Sequence, residues 1–172
     1  MIELVIGGAR SGKSSYAESV AKASNKPVIY IATSEIRDNE MAQRVAIHQS
    51  QRPITWQVIE EPFELADKLK ANSCVDNCIL VDCLTLWLSN CLFGETQTPW
   101  KDYKQQLLTT LKTLPGQVIL VTNEVGCGVV PMGEMSRQFV DQAGWLHQAI
   151  AAQVPKVTLV TAGIPMHIKD IS

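Results

Sequence analysis

Apolar residues gather in short runs at 2–6, 28–32, 56–59, 79–81, 118–122 and 157–161, with a further short run at 164–168. Most are continuous rather than alternating, the pattern of strands covered on both faces, as in a parallel sheet between helices. Between them the apolar period lengthens. Trp100, Tyr103, Leu107, Leu111 and Leu114 recur at three- and four-residue steps, as do Phe139, Ala143, Leu146 and Ile150, each series giving one stripe of a helix. Shorter helices are expected at 14–23, 40–48, 62–69 and 84–92, with Pro62 suited to a first helical turn. Residues 94–99 read as a surface loop. Strand and helix therefore alternate, and right-handed crossovers join such a series into a mostly parallel α/β sheet with ligands at the carboxyl ends of its strands.

No linker, repeat or low-complexity tract divides the 172 residues, so residues 1–172 are expected to form a single domain with its own core. Hydrophobic residues are 46% and charged residues 19%, too apolar for a disordered chain and too interrupted for a membrane span. Fifteen basic and seventeen acidic residues leave a formal charge of −2, which gives no electrostatic footprint for nucleic acid. Any bound anion must be held locally. The chain opens on an acidic residue and a glycine turn instead of a secretory leader, and Cys74, Cys78, Cys83, Cys91 and Cys127 contain no C-x-x-C pair. A cytoplasmic protein whose five cysteines are reduced packing residues is expected.

The local anion site follows the first apolar run. Gly7-Gly8-Ala9-Arg10-Ser11-Gly12-Lys13-Ser14 fits G-x-x-x-x-G-K-[ST] between a strand and a helix, the context in which this phosphate-binding loop works. Its glycines let successive N–H groups face phosphate oxygens, Lys13 reaches the β and γ phosphates, and Ser14 is a ligand for Mg²⁺. The expected fold is a three-layer P-loop NTPase with a mostly parallel central sheet. A second magnesium partner is usually a carboxylate at the end of a nearby apolar strand. Asp82 after Ile79-Leu80-Val81 and Glu124 after the 118–122 run are both candidates, and spacing alone does not divide metal contact from substrate positioning; Asp82 also suits a helix cap.

Nucleotide binding does not specify a reaction. Asp82 is followed by Cys83, Leu84 and Thr85 with no D-x-x-G, and no N-K-x-D occurs, which argues against a GTPase switch. A small-molecule transferase fits better. His48, with Arg44 and Arg52 four residues to either side, has the makings of a nucleophile toward phosphorus, and equally those of a histidine closing a helix. His147 and His167 carry the same ambiguity. Arg137 suits either a transferring phosphate or solvent.

The motifs together resemble the bifunctional adenosylcobinamide kinase/adenosylcobinamide-phosphate guanylyltransferase family. The likeness runs through Gly7 to Ser14, Tyr30-Ile31-Ala32-Thr33-Ser34, Glu40-Met41-Ala42, Arg44, His48, Arg52-Pro53, Trp56, Glu60, Leu80-Val81-Asp82-Cys83-Leu84-Thr85 and Val121-Thr122-Asn123-Glu124-Val125-Gly126 to Val130-Pro131. It implies phosphorylation of the aminopropanol arm of adenosylcobinamide from ATP or GTP, then transfer of GMP from GTP to give adenosylcobinamide-GDP in cobalamin synthesis. It also implies that His48 is the covalent guanylyl carrier. The nucleotide-binding residues it implies are Gly7, Gly8, Ala9, Arg10, Ser11, Gly12, Lys13, Ser14, Thr33, Ser34, Gln49, Ser50, Gln51, Arg52, Glu60 and Asp82, with Mg²⁺ on Ser14 and Asp82. Similar proteins are homotrimers. Two departures stand out: Ile47 occupies a position where the family often has a second histidine, and His147 one where asparagine is frequent. The alternatives are a P-loop small-molecule kinase without guanylyl transfer and a regulatory nucleotide-binding module.

Overall fold

All the apolar runs become strands of one sheet. The structure, a computed structural model, describes residues 1–34 and 53–171. In chain order these form β1 (Ile2–Gly7), α1 (Lys13–Ala23), β2 (Val28–Ala32), β3 (Gln57–Glu60), α2 (Leu65–Asn72), β4 (Cys78–Asp82), α3 (Leu84–Phe93), α4 (Trp100–Leu111), β5 (Gln117–Asn123), α5 (Glu134–Gln153), β6 (Lys156–Thr161) and β7 (Ile164–Asp170). The expected helix at 40–48 lies outside the described residues.

The strand order is β3-β2-β4-β5-β1-β6-β7, parallel throughout except for β7, which returns antiparallel to β6. Ala162 and Gly163 make that return with φ of 53° and 79°, the two positive values a tight hairpin turn requires. β1 sits between β5 and β6, with Ile2 opposite Val118 and Leu4 opposite Val157. Its end therefore opens in the interior of the sheet's carboxyl rim.

The two faces explain why the strands read as unbroken apolar runs. On one, Leu4, Ile79, Val81, Val118 and Leu120 pack with Leu69 of α2, Trp87 of α3, Leu107 of α4 and Leu146 and Ile150 of α5. On the other, Val5, Leu80, Ile119 and Val121 pack with Ala17 and Ala21 of α1. Trp87 is fully buried, and its indole N–H donates to the Phe63 carbonyl at 2.7 Å, so the largest core side chain leaves no polar atom unpaired. Among the described residues no helix is long and apolar enough to cross a membrane.

Two expectations need correction. Pro62 precedes α2 instead of opening it: the Glu61 carboxylate accepts the N–H groups of Phe63 (3.1 Å) and Glu64 (2.9 Å), making a turn that delays the helix to Leu65. Cys78, Cys83 and Cys91 are buried packing residues, whereas Cys74 and Cys127 are exposed on connecting segments. All five are free thiols. Burial pushes the Cys83 thiol up to about 11, which keeps it protonated and unreactive at neutral pH.

Candidate active site

β1 runs straight into the glycine-rich loop, and the packing there leaves no room for a side chain at its last residue. A Cβ on Gly7 would stand 2.5 Å from both the Val160 carbonyl oxygen and Ser11 Oγ. Gly12 has φ 92° and Arg10 φ 55°, so the loop turns through two left-handed residues before α1 begins. Two neighbouring segments tether it. Glu124 N–H donates to the Gly7 carbonyl at 2.9 Å, and Gly163 N–H donates to the Ser11 carbonyl at 2.8 Å. Inside the loop Ser11 N–H closes onto Gly8 O at 3.2 Å, and Tyr16 N–H onto Gly12 O starts the helix.

The loop is built to receive negative charge. The first turn of α1 has neither a capping side chain nor an acidic residue, so its N–H groups and the positive end of the helix dipole are not neutralised by the protein itself. Lys13 is only 9% exposed, and its ammonium donates back to Gly8 O at 3.2 Å, placing the cation over the loop. Ser11 Oγ is buried without a hydrogen-bond partner. Ser14, next to Lys13 in the first turn, is half-buried, while Ala9 and Arg10 are exposed.

Asp82 ends β4 opposite Val121, which is also opposite Val5. It therefore lies level with β1 and two strands away, roughly 10 Å across the sheet. Its Oδ2 accepts the Tyr30 hydroxyl at 3.1 Å. It does not cap α3, whose first turn carries no side-chain cap at all. Ser14 and Asp82 offer a hard, oxygen-only pair suited to Mg²⁺, which is ordinarily held by one or two protein oxygens together with phosphate and water. Among the described residues no cluster of three or more His, Cys, Asp or Glu forms an all-protein cage.

The other candidates divide. Thr33 is fully buried, and its hydroxyl is engaged by the backbone of Cys83, donating to the carbonyl at 2.7 Å and accepting the N–H at 2.9 Å. Asn90 holds the Thr33 carbonyl at 2.8 Å. Thr33 thus locks the ends of β2 and β4 together, and Ser34 beside it is half-buried at the rim. Glu60 is exposed at the end of β3, opposite Ala32, which is opposite Asp82. Four strand spacings separate β3 from β1, roughly 19 Å, so Glu60 marks one edge of the rim and the phosphate loop its interior. His48, Gln49, Ser50, Gln51 and Arg52 lie outside the described residues.

Glu124 is placed beside the loop by its backbone, but its carboxylate turns onto its own segment, accepting Gly126 N–H at 2.6 Å and Cys127 N–H at 3.0 Å. Burial raises the affinity of this carboxyl for a proton, yet those N–H bonds, the Cys127 thiol and nearby His147 outweigh it and hold Glu124 below the usual range. Arg137 is exposed and folds back: one guanidinium nitrogen donates to the carbonyls of Pro131 and Met132. His147 Nε2 pairs with Thr122 Oγ1 at 2.7 Å, and burial drops its pKa to about 4 against a small opposing pull from Glu124. It is a neutral packing histidine. Tyr30 beneath Asp82 carried part of the family likeness but was given no role in the sequence, although a phenol in an aliphatic strand needs a partner for its hydroxyl and so points to one.

Comparison with known proteins decides the lineage. The model of the family described as cobinamide kinase/cobinamide phosphate guanyltransferase matches residues 3–168. The chain belongs to that family. Within the cobinamide kinase/guanyltransferase family it is 50% identical over 169 residues to the bifunctional adenosylcobalamin biosynthesis protein CobP of Pseudomonas aeruginosa, covering 98% of each chain. It is 40% identical over 182 residues to the bifunctional adenosylcobalamin biosynthesis protein CobU of Salmonella typhimurium, covering 98% of this chain and all of that one. Among solved structures the RadB recombinase overlays with a TM-score of 0.50 at 16% identity, over 92% of this chain and 73% of that one, a likeness of fold alone.

Proposed function

We propose that this family member performs two successive transfers on one corrinoid: phosphorylation of the aminopropanol hydroxyl of adenosylcobinamide by ATP or GTP, then joining of GMP from GTP to the new phosphate. The observation that carries this reading is the loop from Gly7 to Ser14, with Lys13 over it, an uncapped helix N-terminus behind it and Ser11 Oγ unpaired within it. In the first transfer the substrate hydroxyl attacks the γ-phosphorus, and the γ-phosphoryl group leaves the nucleoside diphosphate. Lys13 and the α1 N–H groups stabilise the charge that accumulates on the phosphate oxygens. Ser14 and Asp82 would hold Mg²⁺ with the nucleotide, where it would supply charge neutralisation to the phosphates.

In the second transfer a nitrogen of His48 attacks the α-phosphorus of GTP and pyrophosphate departs. A phosphate oxygen of adenosylcobinamide phosphate then attacks the same phosphorus, breaking the N–P bond and giving adenosylcobinamide-GDP. Splitting the exchange in two keeps a good leaving group on phosphorus at each step. Ser34, Gln49 to Arg52, Glu60 and Asp82 serve the nucleotide along the rim, and Thr33 beneath them holds the ends of β2 and β4 together. The enzyme works as a cytoplasmic homotrimer. Mass measurement after incubation with GTP and Mg²⁺ tests the proposal: a GMP adduct is expected on the wild type and none on His48→Ala. Adduct retained by the variant would remove His48 as carrier, and absence of any corrinoid product from the wild type would favour a regulatory nucleotide-binding module.

A further inference from the structure

The segment that joins β5 to α5 is apolar where a surface connection is ordinarily polar. Val129 is 96% exposed, Val130 72%, Met132 97% and Met135 61%. Scattered exposed apolar residues are commonplace, but four within seven positions form a patch, and patches mark contact surfaces. The segment is also held in shape from both ends. Glu124 gathers the Gly126 and Cys127 N–H groups at its start, and Arg137 ties the Pro131 and Met132 carbonyls at its end. The segment that carries the patch starts beside the phosphate site, where the N–H of Glu124 is bonded to the Gly7 carbonyl at 2.9 Å.

We propose that Val129, Val130, Met132 and Met135 form the docking surface for the corrin macrocycle of the substrate. This rests on the corrinoid reading above and deepens it. The reacting hydroxyl sits at the end of a side arm, so the arm must enter the phosphate loop while the ring stays outside, against whatever adjoins that loop. A corrin carries peripheral methyl groups between its amide arms, and burying these against valine and methionine is a favourable contact. Methionine suits the task, since its unbranched thioether adapts to an irregular surface. Glu124 and Arg137 act as positioning residues that hold the patch in place.

The test uses the full-length protein with Mg²⁺-ATP and adenosylcobinamide, comparing wild type with the pair Val129→Thr/Met132→Gln and with Ile168→Thr, an exposed apolar position on β7 that serves as control. The expected result for the pair is a rise of about tenfold in KM for the corrinoid, equivalent to about 1.4 kcal/mol, with KM for ATP and kcat unchanged and the control like wild type. Unchanged corrinoid KM in the pair, or an equal rise in KM for ATP, would overturn the assignment while leaving the proposed function standing. A change in the sedimenting species of the pair would assign the patch to a second copy of the chain and overturn it likewise. No corrinoid product from the wild type would remove the proposed function, and this surface with it.

Discussion

Two polar clusters share β1 and α1 and treat their hydrogen-bonding groups in opposite ways. In the phosphate loop Ser11 Oγ is buried with no partner, and the Lys13 ammonium makes its one described bond to a backbone carbonyl. Near the start of the same strand, Glu3 is 4% exposed and its Oε1 accepts the Tyr16 hydroxyl at 2.9 Å and the Thr158 hydroxyl at 2.6 Å, with the Lys156 ammonium 3.8 Å away. Because Thr158 gives its only proton to Glu3, the His167 Nδ1 that lies 2.9 Å from Thr158 Oγ1 must be the donor, which fixes that ring's tautomer. Burial and the acidic surroundings push the Tyr16 phenol up to about 12, so it stays a donor across the working range. The lower cluster is closed on itself and serves the fold. The upper one is open and serves a ligand. Burial alone does not separate the two; what separates them is whether the buried groups already have partners.

The contrast makes substitutions fall into two kinds, those that cost rate and those that cost stability. The largest effect belongs to Lys13→Ala, which should lower kcat for corrinoid phosphorylation by about 10²–10³-fold, the scale of losing one preorganised charge-stabilising group, while the urea midpoint stays near wild type. A large loss of stability in this variant would break the contrast. Glu3→Ala should do the reverse, costing about 3 kcal/mol in urea denaturation because two hydroxyls and an ammonium lose their acceptor, with kcat per folded molecule preserved.

His147 lies close to the open cluster but belongs with the closed kind. Its folded pKa of about 4 lies below the unfolded value of about 6.5, so the unfolded chain takes up the proton first. Its contribution to stability is whole above pH 6.5 and is lost as pH falls through that window toward 4. Denaturation at pH 7 and pH 5 should show this slope in the wild type and a flatter one in His147→Gln. The smallest effect is expected from Ser11→Ala: removing an unpaired buried hydroxyl should leave stability within about 0.5 kcal/mol, and a calorimetric loss well beyond that would mean the hydroxyl has a structural partner after all.

The inner strands were readable in the sequence because helices cover both their faces, so they write themselves as nearly unbroken apolar runs, whereas the edge strands β3 and β7 are largely exposed. The phosphate loop was readable for a different reason: its function depends on backbone shape across eight consecutive residues, and local shape is written locally. Glu3 was not readable. Within Ile2-Glu3-Leu4 it resembles a routine polar position on a strand, and its partners Tyr16 and Thr158 stand 13 and 155 residues away. Asp82 could be located, but its Tyr30 partner is 52 residues distant, and only the neighbouring of β2 and β4 joins them. Thr33 shows the limit from the other side. Likeness pointed to its residue type and position, while the two bonds its hydroxyl makes to Cys83 depend on where β4 ends.

The placement of β1 between β5 and β6 has a consequence for how the protein is made. The loop's two tethers, Glu124 and Gly163, belong to segments translated long after Gly7 to Ser14 have left the ribosome. Before β5 arrives β1 has no sheet neighbour, and until β6 follows it is paired on one side only and the loop is held by the Glu124 tether alone. Long-range strand pairing of this kind closes slowly. The nucleotide motif is thus synthesised well before the segments that make it competent, so a chain ending before β6 should carry the whole motif and grip nucleotide poorly.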